Sequence, residues 1–388
     1  MDLEISEEQR LFRESATRFL SQKYDIETRR RSVETPFGFA PETWRSFGDL
    51  GWLGLPTIET YGGLGGDLVD LCILMEEFGR ALVIEPYVPA IVMGSGLIEL
   101  LASREIAGPL LESVIGGTCR VAVAHREAHS PFDFDEIRTT ATHGAHGWCL
   151  DGDKVTVIGG PVADRYLISA SLRSKAVGAS EISIFMIDAQ APGLSQVHYR
   201  TVDERGTSNL RLCNVEVPSS ALLGQGAEAV RAIETVLDRA LIASSAYAVG
   251  SMDTLLNATI EYTQQRQQFG KPLSSFQVLR HRLVDMAICC EEARSITTWA
   301  ALKASDGGTD FRRAAAAARI KVGRCSRFVA EQSVQLHGAM GCTQELNIGS
   351  HYKGLLAYEL MFGSTEQHLR RYTNFRQGWE KVYAAVAH

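Results

Sequence analysis

The chain changes its periodicity twice, and the order of the resulting blocks limits the folds open to it. Up to about residue 118 apolar residues recur at helical spacing. Leu11, Phe12, Ala16, Phe19 and Leu20 follow Ser6, which stands where a helix N-cap belongs, and Val69 to Leu82 and Tyr87 to Leu101 form two more apolar helical stretches. A turn-rich break, Tyr61-Gly-Gly-Leu-Gly-Gly-Asp67, precedes the first of these two. From about 119 to 227 the pattern becomes short runs rich in β-branched residues, including Arg120 to Ala124, Lys154 to Ile158, Arg165 to Ala170, Ile182 to Ile187 and Leu210 to Val217. Beyond that the chain is helical again, over about 228–264, 274–305, 310–337 and 364–386, with Gly307-Gly308 dividing two of the segments. The reading is an α+β multidomain protein. It has a helical domain at 1–118, a compact β barrel or sandwich at 119–227, and a four-helix bundle at 228–388 with surface left for subunit contacts.

At 388 residues, with 22% charged residues and a net charge of -7, the chain lacks the basic excess of a nucleic-acid binder. No apolar run reaches the ~18 residues of a membrane span. The acidic, amphipathic Met1-Asp-Leu-Glu-Ile-Ser-Glu-Glu reads as neither a secretory leader nor a transit peptide, so a cytoplasmic protein is expected. Eight cysteines without a C-x-x-C pair read as reduced, mostly buried thiols, with Cys289 and Cys290 in the core.

One segment carries chemistry: Arg266-Gln-Gln-Phe269-Gly-Lys-Pro-Leu-Ser-Ser-Phe276-Gln277-Val-Leu-Arg. In order along the chain it is accompanied by Pro56 with Tyr61-Gly62-Gly63, Met75-Glu-Glu-Phe-Gly-Arg80, Val215-Glu-Val-Pro218 and Gln335-Leu-His-Gly338-Ala-Met-Gly341. Together these resemble the acyl-CoA dehydrogenases, which desaturate acyl thioesters between C2 and C3, and the resemblance covers essentially the whole chain. It implies the acyl-CoA dehydrogenase-like fold of N-terminal helices, middle β domain and C-terminal four-helix bundle. It also implies FAD, in a chain with no dinucleotide-binding fingerprint.

The resemblance assigns cofactor contacts. Arg266 would reach the FAD of a neighbouring subunit, a task suited to a guanidinium that pairs with phosphate oxygens at two points. Phe269 would line the pocket or serve as a core anchor, and Gln277 lies in the same neighbourhood. Gln335, Gly338 and Ala339 would meet the adenosine and phosphate side, with Ala339 replacing a glycine of the family. Ser364 and Glu366 fall in a turn that contacts flavin. In the β domain Thr156 lies in Lys154-Val-Thr-Val-Ile158, where relatives carry an aromatic residue against the ring; the flavin would lose a stacking partner there.

The catalytic base is missing. Taking the C2 proton needs a carboxylate at close range, yet the two positions where the family keeps its glutamate hold Phe362 and Ala240. Glu366 and Asp238 are the remaining candidates. Asp238 reads as an exposed or helix-start acid, and a helix turns it about 200° from Ala240. Loss of the base and of the aromatic favours one chain of a heteromer, like the two-chain enzymes of steroid side-chain breakdown or the small subunit of pimeloyl-CoA dehydrogenase. The partners implied are an acyl-CoA substrate, an electron-transfer flavoprotein and a second acyl-CoA dehydrogenase-like chain in a homo- or hetero-oligomer. A partner subunit holding half a flavin site, and a flavin-dependent monooxygenase of the same fold, are the alternatives.

Overall fold

The structure, a computed structural model, describes residues 5–35, 38–129, 136–144, 147–172, 181–306, 308–343 and 345–386; Ser130 and Gly307 lie outside them. Helices α1 (Glu7–Lys23), α2 (Ile26–Glu34), α3 (Pro41–Asp49), α4 (Leu68–Ala81), α5 (Gly96–Leu101) and α6 (Arg104–Ile115) come first. Strands β1 (Val121–Ala124), β2 (Thr140–His143), β3 (Gly147–Ile158), β4 (Arg165–Leu172), β5 (Glu181–Asp188), β6 (Leu194–Arg200), β7 (Gly206–Pro218) and β8 (Leu222–Gln225) follow. The 40-residue α7 (Gly226–Gln265) leads through the short pair β9 (Gln267–Gln268) and β10 (Lys271–Pro272) to α8 (Gln277–Leu302), α9 (Gly308–His337), α10 (Ile348–Leu360) and α11 (Thr365–Val386). No helix among the described residues is long and apolar enough to cross a membrane. By contacts the chain forms two compact units, Met1–Arg29 with Leu68–Val83 and Leu241–His388, and Arg30–Asp67 with Ile84–Ala240.

In the first unit Ser6 caps α1 through a capping box, its hydroxyl accepting from Gln9 N and its own N–H donating to Gln9 Oε1, both at 3.1 Å. The α4 and α7 backbones touch. A Cβ on Gly79 would lie 1.9 Å from the Tyr247 carbonyl oxygen, and one on Gly250 would lie 1.9 Å from that of Glu76. Beside this crossing Arg80 and Arg294 bind the largely buried Glu76 and also Asp253, while Arg80 holds Glu77 as well. Val249, Met252 and Leu255 of α7, Met286 and Cys290 of α8, Val322 and Val329 of α9, and Leu355 and Tyr358 of α10 form the core. Helix α10 is a further helix beside the four that periodicity predicts, its glycine-containing sequence masking the pattern.

In the second unit, Val88–Ser95 winds as a buried π-helical segment rather than a plain α-helix, with Pro89 in its first turn. The strands form one sheet in the order β6-β7-β3-β2-β4-β5-β8, with β1 added in parallel to β4. The inner face carries Val157, Tyr166, Ile168, Phe185, Leu210 and Val215. Beneath it lies a buried ion pair: Lys154 Nζ is 2.5 Å from Glu127 Oε1 and also donates to Ser169 Oγ and the His125 carbonyl. Glu127 further accepts from Thr139 Oγ1 at 2.6 Å and the Arg138 N–H at 2.8 Å. Burial opposes ionisation of Glu127, but Lys154 and these hydrogen bonds prevail and hold its carboxyl at about 2. Burial also brings Lys154 down to about 8, despite Glu127.

The sign for Glu127 follows from linkage. Its folded value lies below the unfolded one, so its contribution is complete above about pH 4.5 and disappears as pH falls through about 2. Acid titration of unfolding free energy is expected to show roughly 3 kcal/mol less loss over that window in Glu127→Gln than in the wild type. Equal pH dependence in the two proteins would refute the assignment.

Candidate flavin site

The segment Arg266 to Gly270 forms a tight hairpin between β9 and β10. Phe269 and Gly270 both take left-handed φ, 55° and 76°, as a type I′ turn requires. The turn lifts the Phe269 ring into solvent, 89% exposed, with its edge on Phe276 at 6.2 Å. Phe269 is therefore not a core anchor: the αL pair at the tip directs it away from the bundle. Arg266 is exposed, and its guanidinium makes no hydrogen bond or ion pair among the described residues. Gln277, the first residue of α8, is exposed as well.

The end of α9 is tied to the end of α7. Tyr262 stacks on His337 with centroids 4.4 Å apart, and His337 Nδ1 donates to the Ser333 carbonyl at 2.8 Å. Burial lowers the His337 pKa, partly offset by that carbonyl. Directly after it Gly338 turns with φ 60°, and a Cβ there would meet nothing within 4 Å. Gln335, Gly338 and Ala339 are all exposed. The fold thus places the α9 terminus and the start of the Arg266 hairpin against one stacked pair.

The loop from Met361 to Gly363 is held through its backbone. Phe362 has φ 58°, uncommon for an aromatic residue, and Gly363 has φ 108°. Arg319, fully buried on α9, donates through one nitrogen to the carbonyls of Tyr358, Gly363 (3.2 Å) and Met361 (3.4 Å), with its guanidinium 3.9 Å above the Tyr358 ring. Tyr358 in turn bonds Ser245 of α7 at 2.9 Å. The Phe362 carbonyl accepts from His368 Nε2 at 2.9 Å. Burial, then nearby Arg319, pushes His368 to about 3, so it is neutral at physiological pH. Ser364 immediately precedes α11 and caps it: its N–H donates to Gln367 Oε1 at 2.8 Å and its hydroxyl accepts from Gln367 N at 3.4 Å. Glu366 is exposed in the first turn of α11, where a carboxylate suits the helix dipole.

Ala240 and Asp238 are both fully buried in α7. The expectation of an exposed or helix-start Asp238 is corrected, because α7 begins twelve residues earlier, at Gly226, and Asp238 lies well inside it.

Thr156 sits at a bulge. The β3–β7 register shifts between Lys154 and Val157, and Thr156 takes φ 56°. Bulges of this kind re-aim a side chain and occur beside active sites. Its N–H donates to Asn209 Oδ1 at 3.0 Å, and the Tyr199 hydroxyl reaches the same oxygen at 3.1 Å and Thr156 Oγ1 at 3.4 Å. An aromatic ring therefore does stand beside Thr156, supplied by β6. Sequence reasoning missed it because β6 has no clear strand signal; only the pairing of β6 with β7 and of β7 with β3 brings the two together.

A model of the acyl-CoA dehydrogenase N-terminal domain matches residues 6–118, and one of the C-terminal domain matches residues 225–374. The chain belongs to the acyl-CoA dehydrogenase family. Acyl-CoA dehydrogenases are FAD-dependent oxidoreductases acting on CH–CH groups. The probable acyl-CoA dehydrogenase YngJ of Bacillus subtilis is 28% identical over 372 residues, covering 94% of this chain and 97% of that one. A variant of the steroid ACAD Tcur3481-Tcur3483 superposes with a TM-score of 0.85 at 29% identity, over 97% of this chain and 99% of its own. The ChsE4-ChsE5 complex from Mycobacterium tuberculosis shares the fold, with a TM-score of 0.86 at 23% identity over 96% and 98% of the two chains.

Proposed function

We propose that this chain is a subunit of a heteromeric, FAD-dependent acyl-CoA dehydrogenase that contributes half a flavin site and leaves proton abstraction to a partner chain. One observation carries the reading: the loop in which the family carries its base is held at backbone level by Arg319 and His368, yet presents Phe362. The second family position, Ala240, carries no carboxylate either, and the candidates fare no better. Glu366 is solvent-exposed at a helix start, and Asp238 is buried two residues from Ala240. A place in a two-chain enzyme also agrees with the paired names of two similar structures, one of them described as a complex.

The residues present fit the phosphate half of FAD. Gly338 leaves open space for a ligand to approach backbone, and Arg266 is an exposed guanidinium with no protein partner among the described residues. In this reading Arg266, Gln335, Gly338 and Ala339 hold the pyrophosphate and adenosine, while Phe269, Gln277, Ser364 and Glu366 border the flavin. Bound FAD supplies the hydride acceptor for C3. On α8, exposed Val284, Ile288 and Trp299 fall on one helical face, an apolar strip suited to subunit contact. Electrons would leave through an electron-transfer flavoprotein. The acyl-CoA and the two chains meet in the cytoplasm in this proposal, with the chain's own labour divided at about residues 118 and 227.

The visible spectrum of the purified chain, alone and co-expressed with a neighbouring acyl-CoA dehydrogenase chain, tests this. The expected outcome is a colourless or weakly yellow protein that turns yellow and reducible by acyl-CoA only in the complex. A yellow chain bleached by acyl-CoA on its own would refute the half-site reading. In the flavin-loaded complex, Phe362→Glu is expected to add a second base and Phe362→Gln is not. With the partner's own base removed, Phe362→Glu should restore flavin reduction by about 10²-fold or more.

A further inference from the structure

We propose that Cys289, Glu292 and Cys325 form a site for a soft divalent cation of the zinc class, bridging α8 and α9 on the side of the bundle. Cys289 and Glu292 stand three residues apart on α8 and so share a face. Cys325 meets them from α9, and the two sulfurs and a carboxylate oxygen all lie within 4.8 Å of one another. Thiolate with carboxylate is a donor set that suits zinc, and three protein ligands leave a fourth position for water.

The three groups are graded in exposure. Cys325 is 3% exposed, Cys289 is half-buried, and the Glu292 side chain is 48% exposed. The soft donors therefore face inward and the carboxylate guards an entry from solvent. A tetrahedral ion with bonds of about 2.3 Å to sulfur spaces its donors by roughly 3.7 Å. Rotamer adjustment of the exposed Glu292 and half-buried Cys289 covers the remaining ångström without moving a helix.

A cation is already drawn to this spot. Lys321 Nζ lies 2.6 Å from Glu292 Oε2. A bound metal would displace that ammonium from the carboxylate, so Lys321 acts as a competitor. A cysteine ligand binds as thiolate and gives up its proton to do so. Binding then exchanges two thiol protons for one divalent ion, with no change in oxidation state, and tightens as pH rises. Cys290 and Asp285 on α8, Lys321 on α9 and Tyr358 on α10 are the other titratable groups that interact with the pair. The site uses none of the residues assigned to flavin.

The test is titration of the reduced full-length protein with cobalt(II), read by thiolate-to-cobalt charge transfer and the visible bands of a tetrahedral ion, then displaced with zinc(II). One cobalt per chain is expected. Cys289→Ser, at a half-buried position, should abolish the charge-transfer band, as should Cys325→Ser if it folds. Glu292→Gln should weaken binding by roughly ten- to a hundredfold, and Lys321→Met should strengthen it. The exposed Cys213 and Cys342 are controls, and serine at both should leave the titration unchanged. A band that survives Cys289→Ser, or one lost with Cys213 and Cys342, overturns the proposal. So does absence of any tetrahedral band, including the case where the two thiols are instead lost together as a disulfide.

Discussion

Gly79→Ala is expected to destabilise the protein by roughly 3–5 kcal/mol, or to prevent its folding. The added methyl would stand 1.9 Å from the Tyr247 carbonyl oxygen, 2.8 Å from its carbon and 3.1 Å from Ser251 N. All three are backbone atoms of α7, so no side chain can rotate away. Relief requires separating α4 from α7, and the ion network of Arg80, Glu76, Asp253 and Arg294 straddles that same contact. Gly250→Ala makes the reciprocal clash and should cost as much. Gly349→Ala provides the opposite sign: in α10 the new Cβ meets only the Gly341 carbonyl oxygen at 3.6 Å, an ordinary contact, and gain of helix propensity should stabilise by up to about 1 kcal/mol. Urea denaturation of the three variants separates these outcomes. A Gly79→Ala midpoint equal to the wild type would show that the helices do not touch.

Lys154→Met is expected to cost about 3–5 kcal/mol, because it strands the Glu127 carboxylate in the interior of the sheet. Methionine fills similar space, so the loss reports on charge rather than on a cavity. Adding Glu127→Gln should recover part of it, since the stranded charge is gone and the single amide oxygen still accepts from Thr139. The coupling energy from the double-mutant cycle is the quantity to measure. Additivity of the two substitutions would mean that the ion pair is not formed.

Much of the architecture was legible because the periodicity is strong where burial is one-sided. Ser6 announces α1, and the long helices from 226 onward carry apolar stripes that survive their alanine-rich composition. The π-helical segment at Val88–Ser95 was not legible, since it is buried all round and no face alternates. Nor was β6, whose exposed Ser195, His198 and Arg200 give it a polar pattern. Thiols read as mostly buried divide otherwise: Cys72, Cys290 and Cys325 are buried, whereas Cys213 and Cys342 are exposed. Within the candidate site, residues consecutive in a motif could be named from sequence. What could not be read are the groups that act across elements: Tyr199 beside Thr156, and Arg319 beneath Phe362, 43 positions away in sequence.

The grip on the loop from Met361 to Gly363 has a consequence for how such a chain changes over generations. Arg319 and His368 grasp carbonyl oxygens, which every amino acid possesses. That hold does not depend on the side chain at 362, although the left-handed φ of 58° disfavours β-branched residues and proline there. A side chain at 362 can be exchanged without rewriting the residues that shape its seat, so a working subunit and a silent one can stand a single codon apart. Duplicated genes of this architecture can divide into an active chain and a supporting chain while each keeps the same loop.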